Sequence, residues 1–484
     1  MGLLGIFLAL TLLIGMSYRG WSVLLLAPAA ALLAAGVAGE PVLAHWTQTF
    51  MLGAAGFFAQ FFPIFLLGAL FGKLMDDSGS VRAISRTMAE TLGPRRAILA
   101  VVLAGAFVTY GGVSLFVAFF VLAPMAHSLF KEANIPNKLM PAAIVLGTST
   151  FTMSALPGTP AIQNAIPMPF FGTTPFAAPG LGVIASAVML GFGLWWLARQ
   201  ERQARVSGVG YVDEQQPALE AVADNQLVRE RAVTSREFDP VEMGHGHRSE
   251  DLPSFWIAAL PLVVVVVVNL LMSFWILPAM DLDFLALPQW GPTSLAAVGG
   301  VWSVVVGLAV AIVLLIALNW KRLPSLRDSM DAGANASALP ALSVASLVGF
   351  GGVVAALPAF AVVKEWVLGI DGGPLVSLAI STNVLAALTG SASGGLTIAL
   401  EALGSTYMQL AYEMGIDPAL MHRVAVIGAG TLDSLPHNGA VVTLLAVCGS
   451  THKKSYFDIV VLGIVGPILA LVAVIALGTA FGSF

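Results

Sequence analysis

Asp433 and His437 stand four residues apart in the segment DSLPHNG (433–439), inside a stretch from 419 to 448 that is otherwise strongly apolar. Ionisable groups in such surroundings are costly and usually serve a function. Burial disfavours the charged form of either side chain, so both can exchange a proton near neutral pH, and Asp433, with His437, is the expected proton carrier. Glu401 is a further candidate for the same task. A companion segment, SALPGTP (154–160), is followed by Gln163 and Asn164 and holds no titratable group. Its Ser154, Gly158, Thr159, Gln163 and Asn164 suit the recognition of a small hydroxylated anion, as do Ser434 and Asn438 in the later segment. Two more polar interruptions, TYGGVS (109–114) and TGSASGG (389–395), add Thr109, Gly111, Gly112, Ser114, Thr389, Ser391 and Ser393. None of the four carries Arg or Lys, so an anion is expected to meet helix N-termini instead. Thr159 is placed as a helix cap with Pro160 as first helical residue, and Asn438 as the matching cap.

The chain around these segments is built for a bilayer. Of its 484 residues 58% are hydrophobic and only 10% charged, where a soluble domain carries about 25%. Mean hydropathy is +0.89. The apolar runs are long and continuous rather than alternating, which predicts helices and excludes a barrel. Spans are predicted near 2–17, 20–38, 50–73, 179–198, 254–277, 294–319, 339–362 and 456–481. The opening run lacks a basic leader and places Arg19 after its apolar stretch, so it reads as a first span rather than a cleaved signal. The single cysteine, Cys448, excludes a disulfide framework. His245 and His247 lie near acidic residues, but no second cluster completes a metal site. No metal, no cofactor and no nucleic-acid partner is expected. The absence of an H-E-x-x-H motif, and of an aspartate in the first break to pair with Asp433, points away from an enzyme.

Four stretches do not fit single spans. Residues 97–130 and 374–404 are cut near their middles and are predicted as re-entrant hairpins; 139–171 and 419–448 are predicted as discontinuous helices. With this reading about ten spans and two hairpins result, both termini lie outside, and every Lys and Arg except Lys364 and Arg423 falls on the cytoplasmic side. A single crossing at 97–130 would instead carry the arginine-rich 199–253 stretch outside, against the positive-inside rule. The chain thus divides into a first half (1–198), a polar cytoplasmic linker (199–253) expected to be flexible, and a second half (254–484). Each half holds an odd number of crossings, so the two are inverted. SALPGTPAI aligns with DSLPHNGAV, Gly147-Thr148 and Gly430-Thr431 precede the two breaks, and Thr109 precedes Pro157 by nearly the interval separating Thr389 from Pro436. Paired broken segments in inverted halves are the signature of a secondary transporter. The main rivals are a sodium-coupled carrier, since hairpin-tip oxygens also bind Na⁺, and an anion channel.

With FGKLMDDSGS (71–80), TYGGVSLFV (109–117), ALPGTPAIQNAIP (155–167) and GTLDSLPHNGAVVTLL (430–445), the chain resembles the gluconate permease family of the ion-transporter superfamily over nearly all of its length outside 199–253. That resemblance implies proton-coupled uptake of gluconate or a related hydroxy acid across the cell (inner) membrane. It also implies a homodimer in which hairpins and broken helices move as an elevator, with substrate held between the hairpin tips and the breaks. The Ser-Asn-Thr signature of the sodium-coupled dicarboxylate branch is absent, which points away from di- and tricarboxylates.

Overall fold

The computed structural model describes residues 1–17, 19–212, 229–230, 233 and 238–484, and among these every regular element is helical. α1 (Gly2–Ser17) and α2 (Val23–Ala38) form an antiparallel pair. Ala27, Ala30, Ala31, Ala34 and Ala35 are buried on α2, and small residues of this kind let helix backbones approach where lipid supplies no hydrophobic drive. α3 (Val42–Asp77) runs for 36 residues, far more than the roughly 20 a bilayer needs, so its last turns project beyond the apolar layer. α4 (Ser80–Leu92) is a short amphipathic helix that sequence patterning did not foresee. The chain bends by 100° between it and the next helix.

α5 (Ala97–Tyr110) and α6 (Leu115–Glu132) make the first hairpin. α5 covers about 21 Å, short of the ~30 Å hydrocarbon core. The first broken helix follows as α7 (Met140–Thr148), α8 (Phe151–Ser154), a non-helical stretch, then α9 (Ile162–Ala165) and α10 (Pro167–Phe171). α11 (Pro179–Val206) closes the first half. The second half runs α12 (Phe255–Ala279), α13 (Leu295–Asn319), α14 (Leu326–Ala356) and the short α15 (Phe360–Leu368). Its hairpin is α16 (Gly373–Thr389) and α17 (Ala392–Met414), its broken helix α18 (Pro418–Thr431) and α19 (Gly439–Val447), and its last span α20 (His452–Phe481). The all-helical class is as expected, but among the described residues seven helices, or eight if the bent pair at 80–110 counts as one span, are long and apolar enough to cross a bilayer, against the ten spans expected. The span placed at 339–362 is shifted: α14 begins at Leu326 and ends at Ala356, ahead of Pro358.

Glycines set the closest helix crossings. A methyl on Gly349 of α14 would lie 2.7 Å from the Phe50 carbonyl oxygen, and one on Gly333 would lie 2.9 Å from the Leu70 Cα. α3 and α14 therefore pack antiparallel with their backbones nearly touching. Tighter still is Gly147 of α7, where a Cβ would sit 2.3 Å from the Val102 carbonyl oxygen of α5. Backbone cannot swing aside as a side-chain tip can, so Gly147→Val is expected to cost at least the ~1–3 kcal/mol typical of overpacking. The yield of folded, monodisperse protein in detergent checks this, and wild-type behaviour of the variant would refute it.

The described parts of 199–253 differ from a free linker. α11 extends through 199–206, and Tyr211 N donates to Asn134 Oδ1 at 2.9 Å. Residues 238–253 lie as a strap against the helix ends: Asp239 N donates to Ala336 O (2.8 Å), Ser249 N to Asp77 O (2.8 Å), Arg248 pairs with Asp76 (2.8 Å), and Arg322 with Asp251 (3.0 Å). Arg82 of α4 also reaches the Ser249 carbonyl. These contacts gather Lys73, Arg82, Arg248 and Arg322 at one end of the molecule. The remainder of the stretch lies outside the described residues. His245, half of the candidate metal pair, contacts Glu242 at 2.8 Å, and no cluster of three or more His, Cys, Asp or Glu side chains occurs among the described residues.

Candidate functional site

The first hairpin turns at Gly111–Ser114 because two glycines permit it. Gly112 has φ 98°, and a Cβ on Gly111 would fall 2.4 Å from Leu262 of α12. Thr109 Oγ1 donates back to Gly105 O (2.8 Å), and Tyr110 OH donates to Pro157 O (2.8 Å), tying the tip to the first break. Within that break Gly158 has φ 81° and a Phe176 ring carbon 2.4 Å from where a Cβ would stand, so both backbone and space require glycine. Its carbonyl accepts from Asn269 Nδ2 of α12 (3.2 Å). Helical structure resumes at Ile162, not Pro160. Thr159 is therefore no helix cap; its Oγ1 accepts from Ala161 N (3.4 Å) in a tight local turn, and Ala161 takes the cap position. Ser154 Oγ donates to Thr150 O (3.1 Å).

Asn164 and Gln163, adjacent in α9, behave differently. Asn164 is fully engaged: Nδ2 donates to Thr159 O and Pro175 O, both at 3.0 Å, and Oδ1 accepts from His422 Nε2 (3.2 Å) and Arg423 Nη1 (3.5 Å). It braces the break. Gln163 is 2% exposed, yet neither amide atom has a hydrogen-bond partner, and the Ser114 hydroxyl, also buried, is in the same condition. An unmet buried amide costs roughly 1–3 kcal/mol per group, which marks Gln163 as a candidate ligand-binding side chain. Gly68, Gly112, Ser114, Pro160, Ala161 and Ile162 help line a small void of about 30 Å³. That volume is on the scale of a water molecule and too small for a six-carbon acid.

The second half builds its counterpart around Asp433. Gly390 (φ 65°) turns the hairpin, and Ser391 caps α17 by accepting from Gly394 N (3.1 Å), with Ser393 Oγ 3.2 Å away. Thr389 Oγ1 donates to Leu385 O (2.8 Å) and Ser391 O (3.1 Å). The buried Asp433 Oδ1 accepts from Ala392 N (2.9 Å) and Asn438 Nδ2 (2.7 Å). Asn438 also donates to Gly390 O (2.9 Å), while its Oδ1 accepts from Ala440 N (2.8 Å), making it the cap of α19 as expected. His437 Nε2 donates to Ala387 O (3.2 Å). The tip of the second hairpin and the second break are thus one hydrogen-bonded unit centred on a carboxylate. Two predicted residues stand apart from it. Ser434 Oγ is turned toward Gly463 of α20, and Glu401 is exposed on α17, about 15 Å of helix beyond Ser391.

One expectation is overturned. The breaks do not lack a cation: Arg423, placed by the charge pattern at the outer surface, is the largest fully buried side chain among the described residues. It projects from α18 of the second half into the first break, donating to Ala177 O from Nη2 (2.6 Å) and Nε (3.2 Å), and to Ser154 O from Nη1 (3.3 Å). His422 beside it donates from Nε2 to Asn164, so its Nδ1 accepts the Thr173 hydroxyl at 2.6 Å. A partner this far along the chain leaves no local motif. The one available signal was Arg423 being a strongly charged residue within the apolar run of a broken helix. The two breaks meet at Ser154 and Gly430, where a methyl on the glycine would lie 3.2 Å from Ser154 Cβ.

Two hairpin tips packed onto two interrupted helices, one break holding a buried carboxylate and the other a buried guanidinium, in a chain of long apolar helices, mark a polytopic secondary transporter. The sequence model of the GntP family permeases matches residues 1–169. The uncharacterized transporter YxjC of Bacillus subtilis is 39% identical over 99% of both chains. The chain belongs to the GntP permease family. The high-affinity gluconate transporter of Escherichia coli is 32% identical over 28% of this chain and 30% of its own length. Among solved structures, Neisseria gonorrhoeae MtrF, from a class of antimetabolite efflux pumps, superposes with a TM-score of 0.53 over 91% of this chain and 85% of that one, at 15% identity. That likeness is one of fold.

Proposed function

We propose that the protein carries gluconate or a related small hydroxy-carboxylate across the cell membrane in symport with a proton. The observation that carries this reading is the pairing of chemistries at the two breaks. The first offers a free buried amide and hydroxyl, Gln163 and Ser114, suited to an uncharged polyol chain. The second offers Asp433, a group able to take up a proton. Thr109, Gly111, Gly112, Ser114, Ser154, Gly158, Thr159, Gln163 and Asn164 form the substrate side of the first half; Thr389, Ser391, Ser393 and Asn438 form that of the second, with Ser434 behind them. The hairpins and broken helices would travel as an elevator against the α3–α14 pair, in a homodimer with both termini outside and the strap end cytoplasmic.

The test is reconstitution in proteoliposomes and a screen of gluconate, glycerate, hydroxybutyrate, lactate and citrate, with ΔpH and Na⁺ varied separately. Accumulation against a gradient driven by ΔpH alone supports the reading. Flux that only equilibrates would mark an anion channel. The water-sized void beside Ser114 favours sodium as the second reading, which accumulation driven by Na⁺ without ΔpH would establish. In the same assay Gln163→Leu is expected to raise KM for the best hydroxy acid about tenfold or more, since each lost hydrogen bond to a buried polar group is worth roughly 1 kcal/mol or more and the amide can make two. An unchanged KM would remove Gln163 from the site.

A further inference from the structure

We propose that Arg423 is the cation that recognises the substrate carboxylate, and that in this state the Ala177 carbonyl occupies the place of the carboxylate oxygen. The inference rests on the hydroxy-carboxylate reading and names the group that would read its charge.

Burying a guanidinium costs several kcal/mol unless it is paired. Lys73, the other buried Lys or Arg among the described residues, has its carboxylate at 2.9 Å. Arg423 has none: its acceptors are Ala177 O, Ser154 O and Asn164 Oδ1, every one a neutral oxygen, and among the described residues no carboxylate pairs with it. The contact with Ala177 has the shape of carboxylate recognition, with Nε and Nη2 converging as a fork. Here both prongs close on a single carbonyl. A carboxylate would give each prong its own oxygen and supply the missing charge.

The segment that presents this carbonyl is strained at one residue and faces open space. Ala178 sits at φ 43°, a left-handed conformation that is strained for a non-glycine residue. The segment is held on one side by Thr173 on His422, by Pro175 O accepting from Gly158 N (2.9 Å) and Asn164 Nδ2 (3.0 Å), and by Arg423 itself. On its other side lies an open cavity of about 610 Å³, lined by Thr173, Thr174, Phe176 and Ala177 with Asp417 and Phe484. Residues 172–178 are thus a partition between a vestibule large enough for a hydroxy acid and the Gln163–Asn164 end of the first break. An incoming carboxylate exchanges for Ala177 O on the guanidinium, and the released segment opens the path to the unpartnered Gln163 amide.

Binding of gluconate and of its uncharged amide, gluconamide, to the purified full-length protein in lipid nanodiscs tests this by calorimetry. The wild type is expected to prefer the acid at least tenfold. Arg423→Gln is expected to bring the two affinities within about twofold, a change of ratio that loss of a merely structural clamp would not produce. Arg423→Lys, which keeps charge but not the fork, is expected to retain the preference with weaker binding of the acid. A second measurement avoids altering Arg423: maleimide labelling of Thr174→Cys, in a chain whose native Cys448 is buried, is expected to accelerate several-fold with gluconate and not with gluconamide. Undiminished preference in Arg423→Gln, or labelling of Thr174→Cys indifferent to gluconate, would overturn the role of Arg423 while leaving the transport reading intact. A wild type that binds none of the screened acids would overturn both.

Discussion

Asp433→Asn is expected to abolish ΔpH-driven accumulation while sparing substrate exchange. The amide is nearly isosteric and can still accept at Oδ1 from Ala392 N and Asn438 Nδ2, so the link between the second hairpin tip and the second break survives. What it removes is the proton. For symport of one proton with one monoanion, each unit of ΔpH supports about a tenfold concentration ratio, because 1.4 kcal/mol is tenfold in an equilibrium. At two units the wild type should approach a hundredfold accumulation and the variant should remain near equality. Counterflow of labelled substrate, which needs no net proton movement, should stay within a few-fold. Full accumulation by Asp433→Asn, with substrate-driven alkalinisation of the medium intact, would take Asp433 out of the coupling. His437 is expected to act less directly: it holds the Ala387 carbonyl at the hairpin rim, and His437→Gln retains a donor for that bond.

The architecture was legible where chemistry and geometry share a local cause. Gly-rich polar interruptions cannot lie in lipid as irregular chain, so TYGGVS, SALPGTP, TGSASGG and DSLPHNG each had to be a turn or a break facing other protein. The structure places turns or breaks at all four. Asn438 was readable as a cap because its partner, Ala440 N, is two residues away. Thr159 was not, although the pattern looked equally good, because Asn164 pulls the Thr159 carbonyl into its own network and delays the helix to Ile162. What sequence could not show is contact across the chain. Arg423 looked like a surface arginine at the end of a span until its partners, Ser154, Asn164 and Ala177, proved to lie in the other half. The same holds for the strap, whose composition reads as linker and whose Asp239, Arg248 and Ser249 are nevertheless docked onto α3 and α14.

Lys73→Met is expected to cost about 3–5 kcal/mol of stability, the largest single effect outside the breaks. Lys73 and Asp77 lie one turn apart on α3, both fully buried, with Nζ 2.9 Å from Oδ1. The strap closes over them: Ser249 N is bonded to the Asp77 carbonyl, and a methyl on Gly246 would touch Asp77 Oδ2. Asp77 Oδ2 has no hydrogen-bond partner, so Lys73 is the principal group compensating the carboxylate. Its removal strands a carboxylate that has no solvent exposure. Replacing both partners removes the charge along with its counter-ion, so Lys73→Met with Asp77→Leu is expected to recover most of the loss. The backbone bond from Ser249 persists in either background, which keeps the strap in place and isolates the side-chain pair. Thermal unfolding of the purified variants in one detergent measures it. A single mutant as stable as the wild type, or a double mutant no better than the single, would mean that the pair is solvated and that the strap does not seal this end of α3. The contrast with Arg423 is informative, because both are cations buried in a membrane protein. Lys73 carries its own carboxylate and is finished as structure, whereas Arg423 meets only neutral oxygens and keeps its charge available to a ligand.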